Sequence, residues 1–158
     1  MRKLSLMLVL IFCLMLAQQK DSFDDIVFAF GSESEYEIYF VGSIVDELPS
    51  GATYVRNGAG TIIVGTINQV SQIKQCIVGD IYGETIKISG VYEDVDDVVD
   101  TLGIDIVKTD DFDEIRCVYG NIDGLEEYVT INGKQVNVQV AYSNGTISIG
   151  YPLIVGAY

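Results

Sequence analysis

Apolar and polar residues alternate at the C-terminal end of the chain around two turn signals. Asn132-Gly133 and Asn144-Gly145 each separate two alternating runs, and Asn-Gly favours a two-residue hairpin turn because both positions need a positive φ. The two turns set one register, which places the larger apolar residues on a single face. Those residues are Val129, Ile131, Val136, Val138, Val140, Tyr142, Ile147, Ile149 and Tyr151. The pattern predicts a three-stranded antiparallel meander.

Two segments further upstream change from a strand pattern to a helical one. Residues 61–79 and 85–103 each run strand, short link, helix and glycine. Thr66 and Gln69 have the spacing of a capping box at the start of the first helix, and Gly79 is placed to end it. Apolar residues at helical spacing are Val70, Ile73, Ile77 and Ile81 in the first segment and Val95, Val98, Val99 and Leu102 in the second.

Strand patterns fill most of the remaining chain. Residues 23–60 favour β-structure, with strands expected at 36–44 and 52–55, and two further strands flank the loop TDDFD at 109–113. An apolar sheet face needs helices to cover it. The sequence therefore predicts an α+β fold in one domain over residues 21–158. Its sheet is antiparallel or mixed, two helices pack on one face, and the C-terminal β-meander closes the chain.

Residues 1–20 have the layout of an export signal. Arg2 and Lys3 precede an apolar run over residues 4–17, and a basic start followed by a short apolar core is typical of secretory signals. The run is shorter than the roughly 20 residues of a transmembrane helix. Met15 occupies a position where a cleavage site needs a small residue, so a signal peptide and a retained N-terminal anchor both stay open. Either predicts an exported, extracytoplasmic protein.

The charge of the chain narrows the classes of partner. Nine basic residues face 23 acidic ones, for a net charge of −14. Such a surface repels nucleic-acid backbones and anionic membrane surfaces, so we expect no nucleic-acid partner and no strong attraction to an anionic membrane. Divalent cations and basic proteins remain compatible. The chain is 49% hydrophobic, which is too apolar for a disordered protein.

The last 28 residues carry a family resemblance. A strand with the pattern Asn-x-Gln-x-Ala contains Asn137, Gln139 and Ala141. A hairpin follows it, and the next apolar strand has the pattern Gly-x-Pro at Gly150 and Pro152 and leads to a terminal tyrosine, Tyr158. This ending resembles the YwmB-like exported proteins of Gram-positive bacteria. The resemblance implies export and an α+β fold like that of TATA-box-binding protein. It implies no active site, and the acidic charge argues against a DNA-binding role.

Little in the sequence points to catalysis. The chain has no histidine, so the commonest general base and the usual partner of a nucleophile are missing. Phosphate-binding, dinucleotide-binding and nucleophile-elbow motifs are also missing from the sequence. A small carboxylate-dependent hydrolase stays open because acid pairs are frequent. Cys76 and Cys117 are either a disulfide pair or small core residues.

Acidic clusters are the best candidates for a ligand site. Five acids lie opposite the apolar stripe of the second helix, which is typical of a solvated face: Glu93, Asp94, Asp96, Asp97 and Asp100. If that helix ends near the TDDFD loop, five carboxylates could supply the oxygen ligands that calcium prefers: Asp94, Asp97, Asp110, Asp111 and Asp113. No other cofactor is expected. An electrostatic docking surface for a basic partner is the third interpretation.

Aromatic residues offer a second candidate surface. Tyr36, Tyr39 and Phe40 lie in one predicted strand and would form an exposed aromatic strip if that strand were at a sheet edge. Burial in the core is the alternative interpretation.

These patterns favour an exported, non-enzymatic cell-envelope domain that acts through contacts with an unidentified envelope protein. A calcium-responsive binding module that uses the acidic clusters and a small carboxylate-dependent hydrolase are the alternatives.

Overall fold

The computed structural model describes residues 22–30 and 34–156. The predicted signal peptide or anchor at residues 1–20 lies outside these ranges. Within them, no helix is both long and apolar enough to cross a membrane.

A large antiparallel sheet dominates the α+β fold, as predicted. Its eight strands lie in the order β2-β3-β1-β4-β10-β9-β6-β5, and β7 and β8 form a separate two-stranded sheet. Every pairing between neighbouring strands is antiparallel. The strands are β1 (Glu35–Ile44), β2 (Thr53–Asn57), β3 (Gly60–Thr66), β4 (Ile77–Ser89), β5 (Asp105–Phe112), β6 (Ile115–Asn121), β7 (Val129–Ile131), β8 (Lys134–Val136), β9 (Val138–Ser143) and β10 (Thr146–Tyr151).

Three helices are described where two were predicted. They are α1 (Phe23–Ala29), α2 (Val70–Gln75), which follows a 3₁₀ turn at Ile67–Gln69, and α3 (Val95–Leu102). Helix α1 lies where β-structure was expected. Its start is nevertheless a capping box, in which the Ser22 backbone N donates to Asp25 Oδ2 at 2.9 Å and Ser22 Oγ accepts from the Asp25 backbone N at 3.4 Å.

Helix α2 is shorter than its apolar spacing predicts. Ile77 and Ile81 were expected on the helix but belong to β4, where Ile77 pairs with Ile44 and Ile81 pairs with Phe40. Gly79, expected to end the helix, lies inside β4, where it pairs with Gly42 of β1. A Cβ on Gly79 would lie 2.2 Å from the carbonyl oxygen of Val41. Residues 77–81 therefore form a strand paired with β1, although their apolar spacing alone would extend the helix.

Helix α3 follows the prediction closely. Val95, Val98 and Val99 are buried, Leu102 packs partly against the core, and the acidic side chains of the helix face solvent. Gly103 ends the helix in the left-handed conformation, with φ of 63°. The downstream hairpin is also found, but most of the TDDFD segment is strand. Only the turn at Asp113, with φ of 51°, interrupts it.

One hydrophobic cluster joins the sheet to all three helices. Buried side chains of α1, α2 and α3 belong to the same cluster as the alternating residues of one sheet face, which include Ile38, Phe40, Ile86, Val140 and Ile149. Cys76 and Cys117 are both buried and are not linked to each other. The Cys76 thiol instead donates to the carbonyl oxygen of Glu47 at 3.2 Å.

Both C-terminal turns form as predicted, but the meander is divided between two sheets. Val129 pairs with Val136 in the small sheet, whereas Val140 pairs with Ile149 in the large one. The division falls at Asn137, between β8 and β9. Asn137 Oδ1 accepts a hydrogen bond from the backbone N of Ile122 at 2.8 Å. Asn137 Nδ2 donates to Ile122 O at 2.9 Å and to Leu125 O at 3.3 Å. The Asn137 backbone N donates to Gly120 O of β6 at 3.1 Å, so the chain joins the large sheet at this residue.

The face of β10 that was expected to be polar is covered by the end of the chain. Residues 152–156, here called the C-terminal strap, follow a cis Tyr151-Pro152 bond and turn back across the sheet. The backbone N of Ile154 donates to Gln139 Oε1 at 3.1 Å, and that of Val155 donates to Thr85 Oγ1 at 2.7 Å. Gly150 has to be a glycine here, because a Cβ would lie 2.1 Å from the backbone N of Ile154.

Candidate binding cleft

The structure scatters the predicted metal ligands and places a guanidinium among three acids. Arg116 Nη1 lies 3.3 Å from Asp94 Oδ1 and 3.1 Å from Asp96 Oδ2, and Arg116 Nε lies 3.8 Å from Asp111 Oδ1. Two of the five predicted ligands, Asp94 and Asp111, therefore lie near one another, but both pair with an arginine of β6. Asp96 was not among the predicted ligands.

The other three predicted ligands lie apart from this point. Asp110 pairs with Lys108 at 2.5 Å, Asp97 is exposed on α3, and Asp113 occupies the hairpin turn. Among residues 22–30 and 34–156, no group of three or more acidic or cysteine side chains is arranged to hold a metal ion. Calcium binding stays a prediction. It is tested by thermal melting with millimolar calcium and with chelator, and equal melting temperatures would contradict it.

The expected aromatic strip on β1 is wrong, because β1 is an inner strand between β3 and β4. Tyr36 and Phe40 are fully buried in the core. Tyr39 points to the other face, where its ring centroid lies 6.2 Å from that of Tyr82. Burial of Tyr36 instead brings its hydroxyl to a charged cluster that the sequence analysis missed.

That cluster joins four side chains from four elements. Tyr36 of β1 donates a short hydrogen bond to Glu84 Oε2 of β4. Lys74 Nζ of α2 lies 2.7 Å from the same oxygen and 2.6 Å from Asp24 Oδ1 of α1. The side chain of Glu84 is only 7% exposed. Because a buried carboxylate needs partners, Tyr36 and Lys74 together satisfy one oxygen of Glu84.

The protonation of the cluster follows from its burial and charges. Burial raises the pKa of Tyr36 above its ordinary value, and the nearby Glu84 carboxylate raises it further, so Tyr36 remains a donor. Burial alone would lower the pKa of Lys74. The Glu84 and Asp24 carboxylates outweigh that effect and leave the pKa raised, so Lys74 stays cationic.

Two cavities open beside this cluster. The first, of about 340 Å³, is lined by Ser22, Phe23, Asp24, Lys74, Glu84, Gly124, Leu125, Glu126, Glu127 and Tyr151. The second, of about 370 Å³, is lined by Ile81, Tyr82, Gly83, Glu84, Glu127, Tyr128, Val129, Tyr151 and Pro152. They share Glu84, Glu127 and Tyr151, and we call the two together the acidic cleft.

The outer wall of the acidic cleft is the loop between β6 and β7, and two contacts hold it in place. The backbone N of Glu127 donates to the Tyr151 hydroxyl at 2.9 Å. Asn137 bonds to the same loop at Ile122 and Leu125. The loop is therefore positioned by side chains from β10 and from the break between β8 and β9.

Aromatic rings form much of the remaining lining. Phe23 and Tyr151 stack with ring centroids 5.2 Å apart and an interplanar angle of 21°. Tyr82 and Tyr128 are 59% and 55% exposed. The acidic cleft thus combines carboxylates, ring faces and accessible apolar surface.

Comparisons with known proteins give no relative. No family model matches the chain, and neither the curated proteins nor the solved structures contain a match. The resemblance of the C-terminal residues to the YwmB-like proteins therefore stays a prediction. In this structure, Asn137, Gln139 and Gly150 position the loop and the C-terminal strap.

One signal in the sequence could have located the floor of the acidic cleft. Glu84 alternates with Ile86 and Ile88, so the period of a strand places it on the apolar face. An acid at such a position calls for a buried partner. Lys74 and Asp24 carry no comparable signal, because only the packing of α1 and α2 brings them to Glu84.

Proposed function

We propose that the protein is an exported, non-enzymatic domain that acts at the cell envelope by binding another protein, and that the acidic cleft is the contact. The observation that carries the proposal is the combination of two neighbouring cavities, which share three lining residues, with exposed Tyr82 and Tyr128 beside them. Exposed aromatic residues beside a concave site are characteristic of protein interfaces. Export is supported by the charge and hydropathy of residues 1–20.

Binding is favoured over catalysis by the arrangement of the two inner carboxylates. A two-acid hydrolase needs room between its carboxyl groups for water or a sugar. Here the Lys74 ammonium occupies that space, within 2.7 Å of both Asp24 and Glu84. Since the chain also has no histidine, the cleft offers a place to bind rather than a set of reacting groups.

A capture experiment with matched tyrosine variants tests the contact. Full-length protein would be incubated with an extract of its native cell envelope, and bound proteins would be cross-linked and identified. Tyr128→Ala removes a ring at the cleft border, whereas Tyr54→Ala removes one of similar exposure from the edge strand β2. We expect a defined set of proteins to be lost with Tyr128→Ala and kept with Tyr54→Ala.

Two results would overturn the proposal. Equal capture by the wild type and both variants would remove the cleft as the contact. Recovery of the native protein only from the cytosolic fraction of its cell would remove the envelope as its location.

A further inference from the structure

We infer that the acidic cleft receives a lysine or arginine side chain from a basic segment of the partner. The assignment rests on the proposed function and adds the chemistry of what is bound. The charge, the aromatic content and the size of the two cavities support it.

Carboxylates outnumber amines in the lining of the first cavity. Four carboxylates line the first cavity, those of Asp24, Glu84, Glu126 and Glu127, and Lys74 is its one amine. That amine already bonds to Asp24 and Glu84. Within the described residues Glu127 has no ion pair, and it borders both cavities. An incoming cation would therefore meet an uncompensated carboxylate at the junction.

The rings make an organic cation a better fit than a metal ion. Calcium prefers six to eight oxygen ligands, whereas half of this lining is aromatic or aliphatic. Lysine and arginine have an apolar stem and a charged tip, and their tips bind favourably over tyrosine faces. Tyr151 and Tyr82 line the second cavity together with Glu84 and Glu127.

The cavity sizes set the scale of the ligand. Each cavity is near the lower end of the range of about 300–1,000 Å³ that is typical of ligand sites. One side chain with its adjacent backbone therefore fits better than a large cofactor. The net charge of −14 would also steer a basic segment towards the protein.

Peptide probes of equal size test the charge requirement. The wild-type protein would be titrated with acetyl-Gly-Arg-Gly-amide and with acetyl-Gly-citrulline-Gly-amide, a neutral near-isostere, while backbone amide NMR shifts are recorded. A lysine peptide forms a third arm. We expect the arginine or lysine peptide to shift residues 124–128 and Tyr82, with an affinity at least about fivefold above that of the citrulline peptide.

Two charge-matched variants test the location. Glu127→Gln removes a carboxylate at the junction of the cavities, and Glu93→Gln removes one that is exposed just before α3. We expect Glu127→Gln to weaken binding of the basic peptide about three- to fivefold and Glu93→Gln to leave it nearly unchanged. Both positions are exposed, so equal melting temperatures would confirm that the variants fold.

Several results would overturn the inference. Equal binding of the citrulline peptide would show that charge is not recognised. Equal weakening by Glu93→Gln would indicate general attraction by the acidic surface. If no peptide binds while Tyr128→Ala still abolishes envelope capture, the protein-binding function stands and the basic side chain is wrong. Failure of both experiments would remove both proposals.

Discussion

Replacing Lys74 with methionine should show how strongly the floor of the acidic cleft depends on one charge. The ammonium lies 2.6 Å from Asp24 Oδ1 and 2.7 Å from Glu84 Oε2. Methionine keeps most of the apolar stem but leaves Glu84, with its side chain 7% exposed, bonded only to Tyr36. The variant therefore isolates the electrostatic contribution from packing.

The size of the effect follows from burial. Removing one partner from a fully buried ion pair costs about 3–5 kcal/mol. The Lys74 side chain is 24% exposed and that of Asp24 is 38% exposed, so water offsets part of the loss. We expect a loss of about 2–3 kcal/mol in the free energy of unfolding, a large part of the roughly 5–15 kcal/mol of an ordinary domain.

Urea denaturation followed by far-ultraviolet circular dichroism measures this loss. With a urea slope of about 1–3 kcal/mol per molar, the midpoint should fall by roughly 1–2 M. Lys134→Met, on the exposed start of β8, is the matched control and should stay within about 0.5 kcal/mol of the wild type. The double variant Lys74→Met, Glu84→Gln should recover about 1 kcal/mol relative to Lys74→Met, because the most deeply buried carboxylate of the cluster is then neutral.

Two results would refute the reasoning. If Lys74→Met is no less stable than Lys134→Met, the cluster contributes nothing beyond surface charge. If the double variant is no more stable than Lys74→Met, the cost lies in packing rather than in an unpaired carboxylate.

Three further variants test the elements that shape the cleft. Asn137→Ala should lower the free energy of unfolding by about 1–3 kcal/mol and speed hydrogen exchange in residues 122–128, because the bonds to Ile122 and Leu125 are lost. Unchanged exchange in these residues would show that Asn137 does not hold the loop in place. Gly150→Ala should release the C-terminal strap, since its Cβ would overlap the backbone of Leu153 and Ile154, and limited proteolysis should then cut residues 152–156 faster than in Ala141→Gly. Alkaline pH should destabilise the protein, because the pKa of Tyr36 is raised in the folded state. Above about pH 10 this tyrosine ionises in the unfolded chain but not in the folded one, so the free energy of unfolding should fall by up to about 1.4 kcal/mol per pH unit. The urea midpoints at pH 9 and pH 11 should therefore differ less in Tyr36→Phe than in the wild type. An equal difference in both proteins would show that Tyr36 is not the source of the alkaline destabilisation.

The sequence alone determined the elements whose signals are local. The two Asn-Gly turns fix φ at adjacent residues, and Asn132 and Asn144 have φ of 51° and 50° in the structure. The valine stripe and Gly103 define α3 for the same reason, since each signal lies within a few residues of the next. The capping box of Ser22 and Asp25 is an equally local signal, but the β-branched and aromatic residues that follow it, Ile26 to Phe28, favour strands.

Tertiary structure decided everything that depends on distant residues. The end of α2 is set by pairing of β4 with β1, and the division of the meander is set by bonds from Asn137 to a separate loop. Tyr36 and Glu84 are 48 residues apart in sequence, and Lys74 and Asp24 are 50 apart. Hydropathy patterns report which side of an element is buried but not which element covers it. The acidic cleft, built from α1, α2, β4, β10 and a loop, therefore exists only once the chain has folded.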